Sequence, residues 1–282
     1  MSIVRVLTFI TSPCQHFNRV VTRLFCLRRC RNRALSRNKS INYYVINMFL
    51  ERMKTTDFDP KKKYTFVLPM GATEQHGPFL PMGTDSFLAD RIIRETETEF
   101  PEFVFLPTLR ITCSEEHEGF MGTVWVSKAT MNQILLDICS SLQPYADKIL
   151  LTSFHGGNLG LLDRFVKASK ETLGDVRVIH VPMGSEETEE KMRKMVDGPT
   201  DAHAGNVEIS MMLAEDESLV KIPPADYPKR VIEDAFVTNY LRDYSKDGIA
   251  DNNPKWIVNK ENGLKMIEWT VEDVKRELRK IA

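Results

Sequence analysis

An α/β fold, laid out as a three-layer α/β/α sandwich around a mostly parallel sheet, is what this sequence predicts. Two observations carry the prediction. From Lys61 onward, short apolar runs alternate with amphipathic stretches of helical period. Strands separated by helix-length crossovers pair in parallel, because a tight turn reverses the chain. No internal repeat and no Gly/Ser-rich linker interrupts residues 48–282, so a single domain is expected there.

The elements follow in order. "YTFVLPM", residues 64–70, reads as a strand ending near Pro69. "SFLADRIIRETETEF" places Leu88, Ile92, Ile93 and Thr96 on one helical face. "FVFLPTLRI" is a second strand-like run. "SKATMNQILLDICSSLQPYADK" is expected to be a helix capped by Ser127, or by Thr130 with Gln133 completing a capping box. "KILLTSF" is the next strand. "LGLLDRFVKASKETLG" is a helix with Asn158 near its start and Gly174 as its stop, and "VRVIHVP" is a strand. The closing "TVEDVKRELRKIA" is expected to open on a Thr270–Asp273 cap.

In open α/β sheets, ligands bind beyond the carboxyl ends of the strands. The loop "GATEQHGPFLPMGTD" leaves the first strand and "HGGN" leaves the third, so both emerge on one sheet edge. Glu74 and His76 are two residues apart, which in extended chain points them to one side. Asp85 follows just before a helix, where a carboxylate also suits the N-terminus. Gly156 and Gly157 flank His155 and leave room for a ligand. A third cluster, "DAHAGNVEIS", holds Asp201, His203 and Glu208 and opens an apolar segment expected to be buried. Each feature alone reads as a turn, a helix cap or a satisfied core histidine. Three histidines in glycine-flanked loops beside carboxylates read together as a metal site. His117 is expected at the pocket rim, His180 on the sheet, and Trp125 in the core.

Composition narrows the partners. Residues 1–50 carry nine Lys or Arg and no Asp or Glu, which leaves the remaining chain at about −10. An acidic body argues against nucleic acid, which needs a basic face, and no apolar run is long enough to span a membrane. Cys113 and Cys139, the two cysteines of the body, point to reduced intracellular chemistry and a cytoplasmic location. Cys26 and Cys30 in the leader lack a second ligand pair, which argues against zinc there. The Arg-rich leader, 1–47, has three readings. Translation starts at Met48 or Met53, or the leader is an organelle transit peptide, or it is a disordered basic arm. In each, the leader lies outside the fold.

The motifs "LPMGATEQHGPFLPMGTD", "HEGFMGTVWVS", "FHGGN" and "HAGNVEIS" occur in the order and approximate spacing of the creatininase family, and the chain resembles it from about Tyr64 to Leu213. The resemblance implies a binuclear metal hydrolase on a three-layer α/β fold, often hexameric. By motif, Glu74 and His155 would hold one divalent cation, His76 the second, and Asp85 would bridge them. Creatininase takes a further ligand of the second metal from a glutamate two residues after the His155 equivalent; that position here is Gly157, and Glu208 is the expected replacement. His203 matches a histidine linked to catalysis or substrate orientation, and Glu208 is the other expected catalytic residue. Ser153-Phe154, Ile209 and Asn206 depart from the family pattern and bear on the substrate.

The implied cofactors are two divalent ions, Zn²⁺, Mn²⁺ or Fe²⁺, which imidazole and carboxylate ligands suit without choosing among them. The implied reaction is hydrolysis, by metal-bound hydroxide, of a small molecule's non-standard C–N bond, a cyclic amide or a formamide. Two other classes compete. A lyase or isomerase on the same ligands would incorporate no solvent oxygen into product, and a non-catalytic metal-binding protein would hold metal without turnover.

Overall fold

The computed structural model describes residues 48–229 and 240–282; the expectations for the leader fall outside the described residues. Four strands, β1 (Tyr64–Met70), β2 (Phe103–Phe105), β3 (Ala146–Ser153) and β4 (Arg177–His180), form one sheet in the order β2-β1-β3-β4. All three pairings are parallel. In β1 every residue after Tyr64 is buried, as strands covered on both faces must be.

The connections explain the layers. β1 leads through α1 (Thr84–Glu97) to β2 on one side, and β3 leads through α3 (Gly156–Thr172) to β4 on the other. Right-handed crossovers running outward in opposite directions place α1 and α3 on opposite faces. α2 (Lys128–Leu142) packs with α3. α5 (Asn206–Asp216) and α6 (Lys260–Arg279) pack together and on α1, while α4 (Glu186–Met195) packs on α6. The strand order turns at the β1/β3 pair. That is the switch point at which doubly wound sheets open a crevice.

Several sequence expectations need correcting. "FVFLPTLRI" yields only three strand residues: Pro107 lacks an N–H, and the pairing resumes as a single bridge between Met70 and Leu109. Ser127 caps α2 by accepting from the Thr130 N–H at 3.2 Å, while Gln133 donates to Asp137, so the Thr130–Gln133 box does not form. α6 begins ten residues before the expected cap, with Asn259 accepting from the Asn262 N–H at 2.8 Å. Thr270 lies inside that helix and donates to the Met266 carbonyl at 2.9 Å; a Thr-x-x-Asp pattern has the same sequence form in mid-helix as at a cap. Trp125 is 37% exposed rather than in the core. No helix among the described residues is long and apolar enough to cross a membrane.

Candidate metal centre

The loop after β1 is stitched to the segment before α2. The Val124 N–H donates to the Thr73 carbonyl at 2.8 Å, and the Gln75 N–H donates to Thr123 Oγ1 at 3.0 Å. Thr112 Oγ1 donates to the Gly71 carbonyl at 2.6 Å. Asn158, fully buried in the first turn of α3, joins the same segments. It accepts from the Cys113 N–H at 3.2 Å and donates to Thr112 Oγ1 and Ser153 Oγ, each at 3.1 Å. The loops after β1 and β3 and the segment 112–118 therefore form one rigid wall.

Into this wall converge four carboxylates and four imidazoles. Asp85, in the first turn of α1, sits between two histidines: Oδ1 is 3.1 Å from His76 Nε2 and Oδ2 is 3.2 Å from His155 Nδ1. Glu208 Oε2 lies 3.8 Å from His76 Nε2. Glu74 Oε2 lies 3.4 Å from His155 Nε2, and Glu74 Oε1 lies 3.2 Å from His117 Nε2 and 3.7 Å from His203 Nδ1. Glu116 Oε1 is 3.3 Å from His155 Nε2. Three donor groups can each hold a metal ion: Glu74, His76 and His203; Glu74, Glu116 and His155; and His76, Asp85 and Glu208.

Backbone contacts orient the rings. His76 Nδ1 donates to the Glu74 carbonyl at 3.0 Å, which leaves Nε2 facing the carboxylates. His203 Nε2 donates to the Gln75 carbonyl at 2.7 Å, so Nδ1 presents its lone pair toward Glu74. Gln75 Oε1 accepts from the Gly77 N–H, and Nε2 donates to the Gly248 carbonyl, both at 3.0 Å, which fixes the amide. The same Nε2 reaches His117 Nδ1 at 2.9 Å, making that nitrogen an acceptor and directing Nε2–H of His117 at Glu74.

Burial and charge set the proton affinities. Burial pushes the Glu74 carboxyl up to about 7, against the pull of His155 and with Asp85 adding to the rise. Burial also drives Glu208 up to about 8 and His117 down to about 3. It holds His203 well below the ordinary histidine range, helped by the neighbouring His76 and His117. Burial alone would depress His76, but the charge and hydrogen bond of Asp85 outweigh it and raise the ring to about 10. Asp85 resists its own burial and stays well below the carboxylate range, facing His76 and His155. Both oxygens of Glu74 and Oδ2 of Asp85 are fully buried and face imidazole nitrogens at 3.2–3.7 Å, with no shorter hydrogen bond satisfying them. Poorly satisfied buried carboxylate oxygens are costly, and a divalent cation is the group such a donor set fits.

The structure thus gathers Glu74, His76, Asp85, His155, His203 and Glu208 in one place. Asp201 sits behind them, accepting from the Gly205 and Val207 N–H groups at 2.9 and 2.7 Å at the start of α5. His117 is 1% exposed and inside the cluster rather than on its rim. His180 lies apart, at the end of β4, 2.9 Å from Asp163. Sequence reasoning missed Gln75 and Glu116. The available signal was "SEEHEG", a histidine flanked by carboxylates ahead of a Gly-rich turn.

A cavity of about 400 Å³ opens on the cluster, with Glu115, Lys128 and Tyr240 at its walls.

The family described as Creatininase, creatinine amidohydrolase, matches residues 51–278. The chain is 30% identical over 152 residues to the mycofactocin precursor peptide peptidase of Mycolicibacterium smegmatis, covering 52% of this chain and 56% of that protein. The Mycobacterium tuberculosis protein of the same name is 30% identical over 116 residues, covering 38% and 46%. The chain thus spans about half the length of the curated relatives it matches. In fold it resembles a creatininase crystal structure, with a TM-score of 0.67 and 19% identity over 83% of this chain and 97% of that one. It also resembles a putative creatinine amidohydrolase from Bacteroides fragilis, with a TM-score of 0.63 and 21% identity over 81% and 94%. A manganese form of creatininase superposes with a TM-score of 0.63 and 19% identity over 83% and 98%. Since the family model runs from residue 51 to residue 278, nearly the whole of the described chain, this chain belongs to the creatininase family.

Proposed function

We propose that this protein is a binuclear metal-dependent amidohydrolase acting on a C–N bond of a small molecule, a cyclic amide or a formamide. The observation that supports it is the pair of buried carboxylates, Glu74 and Asp85, whose oxygens face imidazoles from two loops. Glu74 and His155 would hold one cation, His76 and Glu208 the other, and Asp85 would touch both. Zn²⁺, Mn²⁺ and Fe²⁺ all suit these donors. When bound, the two ions would supply a water of lowered pKa and polarisation of the scissile carbonyl.

The chain's own part is positioning and proton handling. His203 stays neutral at physiological pH, with Nδ1 unprotonated and aimed into the site. Its position, with Nδ1 3.7 Å from Glu74 Oε1 in the cluster, would suit it to orient the substrate or pass a proton to the leaving nitrogen. Glu208, anchored by the Ala204 N–H at 2.6 Å, supports the His76 side. Ala204 adopts φ +57°, a left-handed conformation that non-glycine residues pay to hold. The strain lets one short turn present both His203 and Glu208.

One observation favours a second substrate. The 30%-identical relatives are named peptidases of a precursor peptide, and release of a terminal residue from a short peptide uses the same bond chemistry. The test is metal analysis of the purified protein with a panel of cyclic amides, formamides and short peptides in heavy-oxygen water. Two ions per chain and labelled product are expected. Turnover without solvent oxygen, or metal without turnover on any member, sinks the proposal.

A further inference from the structure

Glu116 lies outside the ligand set that the family resemblance implies, yet it shares the position of its principal donors. It sits in the single helical turn Glu115–His117. Its Oε1 stands 3.3 Å from His155 Nε2, and Glu74 Oε2 stands 3.4 Å from the same nitrogen. A charge-assisted hydrogen bond between imidazole and carboxylate closes to roughly 2.7–2.9 Å. Donors that share a tetrahedral centre at bonds of about 2.1 Å lie roughly 3.4 Å apart, the edge of that tetrahedron. His155 Nε2 also hydrogen-bonds the Cys113 carbonyl, and beside it ligand atoms of Glu74, Glu116 and His155 all lie within 4.8 Å of one another, close enough to surround one cation. Glu74, 0% exposed with neither oxygen in a short hydrogen bond, faces the same point.

Gly157 supplies an independent observation. A Cβ built there would come within 2.2 Å of Glu116 Oε1 and 2.5 Å of His155 Nε2. Gly157 is absent from the positive-φ residues, and glycine inside a helix costs about 1 kcal/mol relative to alanine. Its presence in α3 answers to space, which the Glu116 carboxylate fills together with the His155 ring and the Cys113 carbonyl.

We propose that Glu116 is a direct divalent-cation ligand on the Glu74/His155 side of the centre, occupying the volume that a side chain at position 157 would otherwise fill. The inference rests on the metal-centre reading above and extends it. The centre would then draw carboxylates from three separate segments on that side, with Asp85 shared.

Calorimetric titration with Mn²⁺ and with Zn²⁺, and metal content after gel filtration, test it on the full chain. The wild type should bind two equivalents; fewer than two defeats the metal-centre reading itself. Glu116→Gln, isosteric and uncharged, should keep one equivalent and bind the second at least 100-fold more weakly. Two equivalents at wild-type affinity in that variant would overturn the assignment of Glu116 while leaving the centre intact. Should Glu116→Gln fail to fold, Glu116→Asp decides: its carboxylate is one methylene short of the position beside His155, so one equivalent should bind as in the wild type and the second at least 10-fold more weakly, and wild-type affinity for both would overturn the assignment.

Discussion

Gly263→Ala should destabilise this protein although propensity alone says the opposite. Gly263 lies in the second turn of α6, where alanine would gain about 1 kcal/mol in an exposed helix. Here a Cβ would stand 1.8 Å from the Ser210 carbonyl oxygen, 2.4 Å from its carbon and 2.9 Å from the Met211 nitrogen. All three are backbone atoms of α5 and cannot rotate away. Merely reaching the 3.0 Å that real Cβ atoms essentially never go below requires α5 and α6 to separate by roughly 1.2 Å. Overpacking of this kind costs about 1–3 kcal/mol. Gaps of 0.5–1 Å also forfeit a quarter to a half of each dispersion contact across the interface. We expect a net loss of about 2–3 kcal/mol, read as a lower urea midpoint at unchanged slope. Because α5 carries Glu208, the same displacement should weaken cation binding. A midpoint that rises by the full alanine propensity would show that the two helices do not meet as closely as described here.

Four further outcomes follow. Chelation of bound metal should lower Tm: saturation at 100 times Kd stabilises the folded state by about 2.7 kcal/mol, roughly 5–10 °C for a domain of this size, and an unchanged Tm would exclude ligation at the buried carboxylates. Cation binding should release protons, because Glu74 near 7 and Glu208 near 8 hold protons below those values that a ligand must give up. Apparent affinity should accordingly rise from pH 6 to pH 8, and calorimetry in buffers of different ionisation enthalpy would refute this if no proton moved. Asn158→Ala should cost about 2–4 kcal/mol by stranding the Cys113 N–H and loosening the wall, whereas a change below 0.5 kcal/mol in chemical denaturation would contradict that role. Cys113 and Cys139 are both 0% exposed, and burial pushes Cys139 up to about 12, so neither should react with maleimide at pH 8 until the protein is denatured.

What sequence determined by itself was the order of elements and the sheet edge where chemistry gathers. Apolar period and crossover length are local quantities, and the loops bearing Glu74, His76 and His155 inherit their edge from strand direction alone. The extent of α6 was not legible, because Thr270 and Asp273 carry a capping pattern whose meaning depends on whether the preceding turn is already helical. α5 was readable only as an apolar stretch, since a helix buried on nearly all sides shows little amphipathic period. Tertiary structure alone added Glu116, His117 and Gln75 to the residues around the cluster. Glu116 and His117 join it through a wall held by Asn158 and Thr112, and Gln75 fixes two rings through contacts spanning 42 and 128 residues. Which atoms meet across such separations is set by how the layers pack, and residue type carries no record of it.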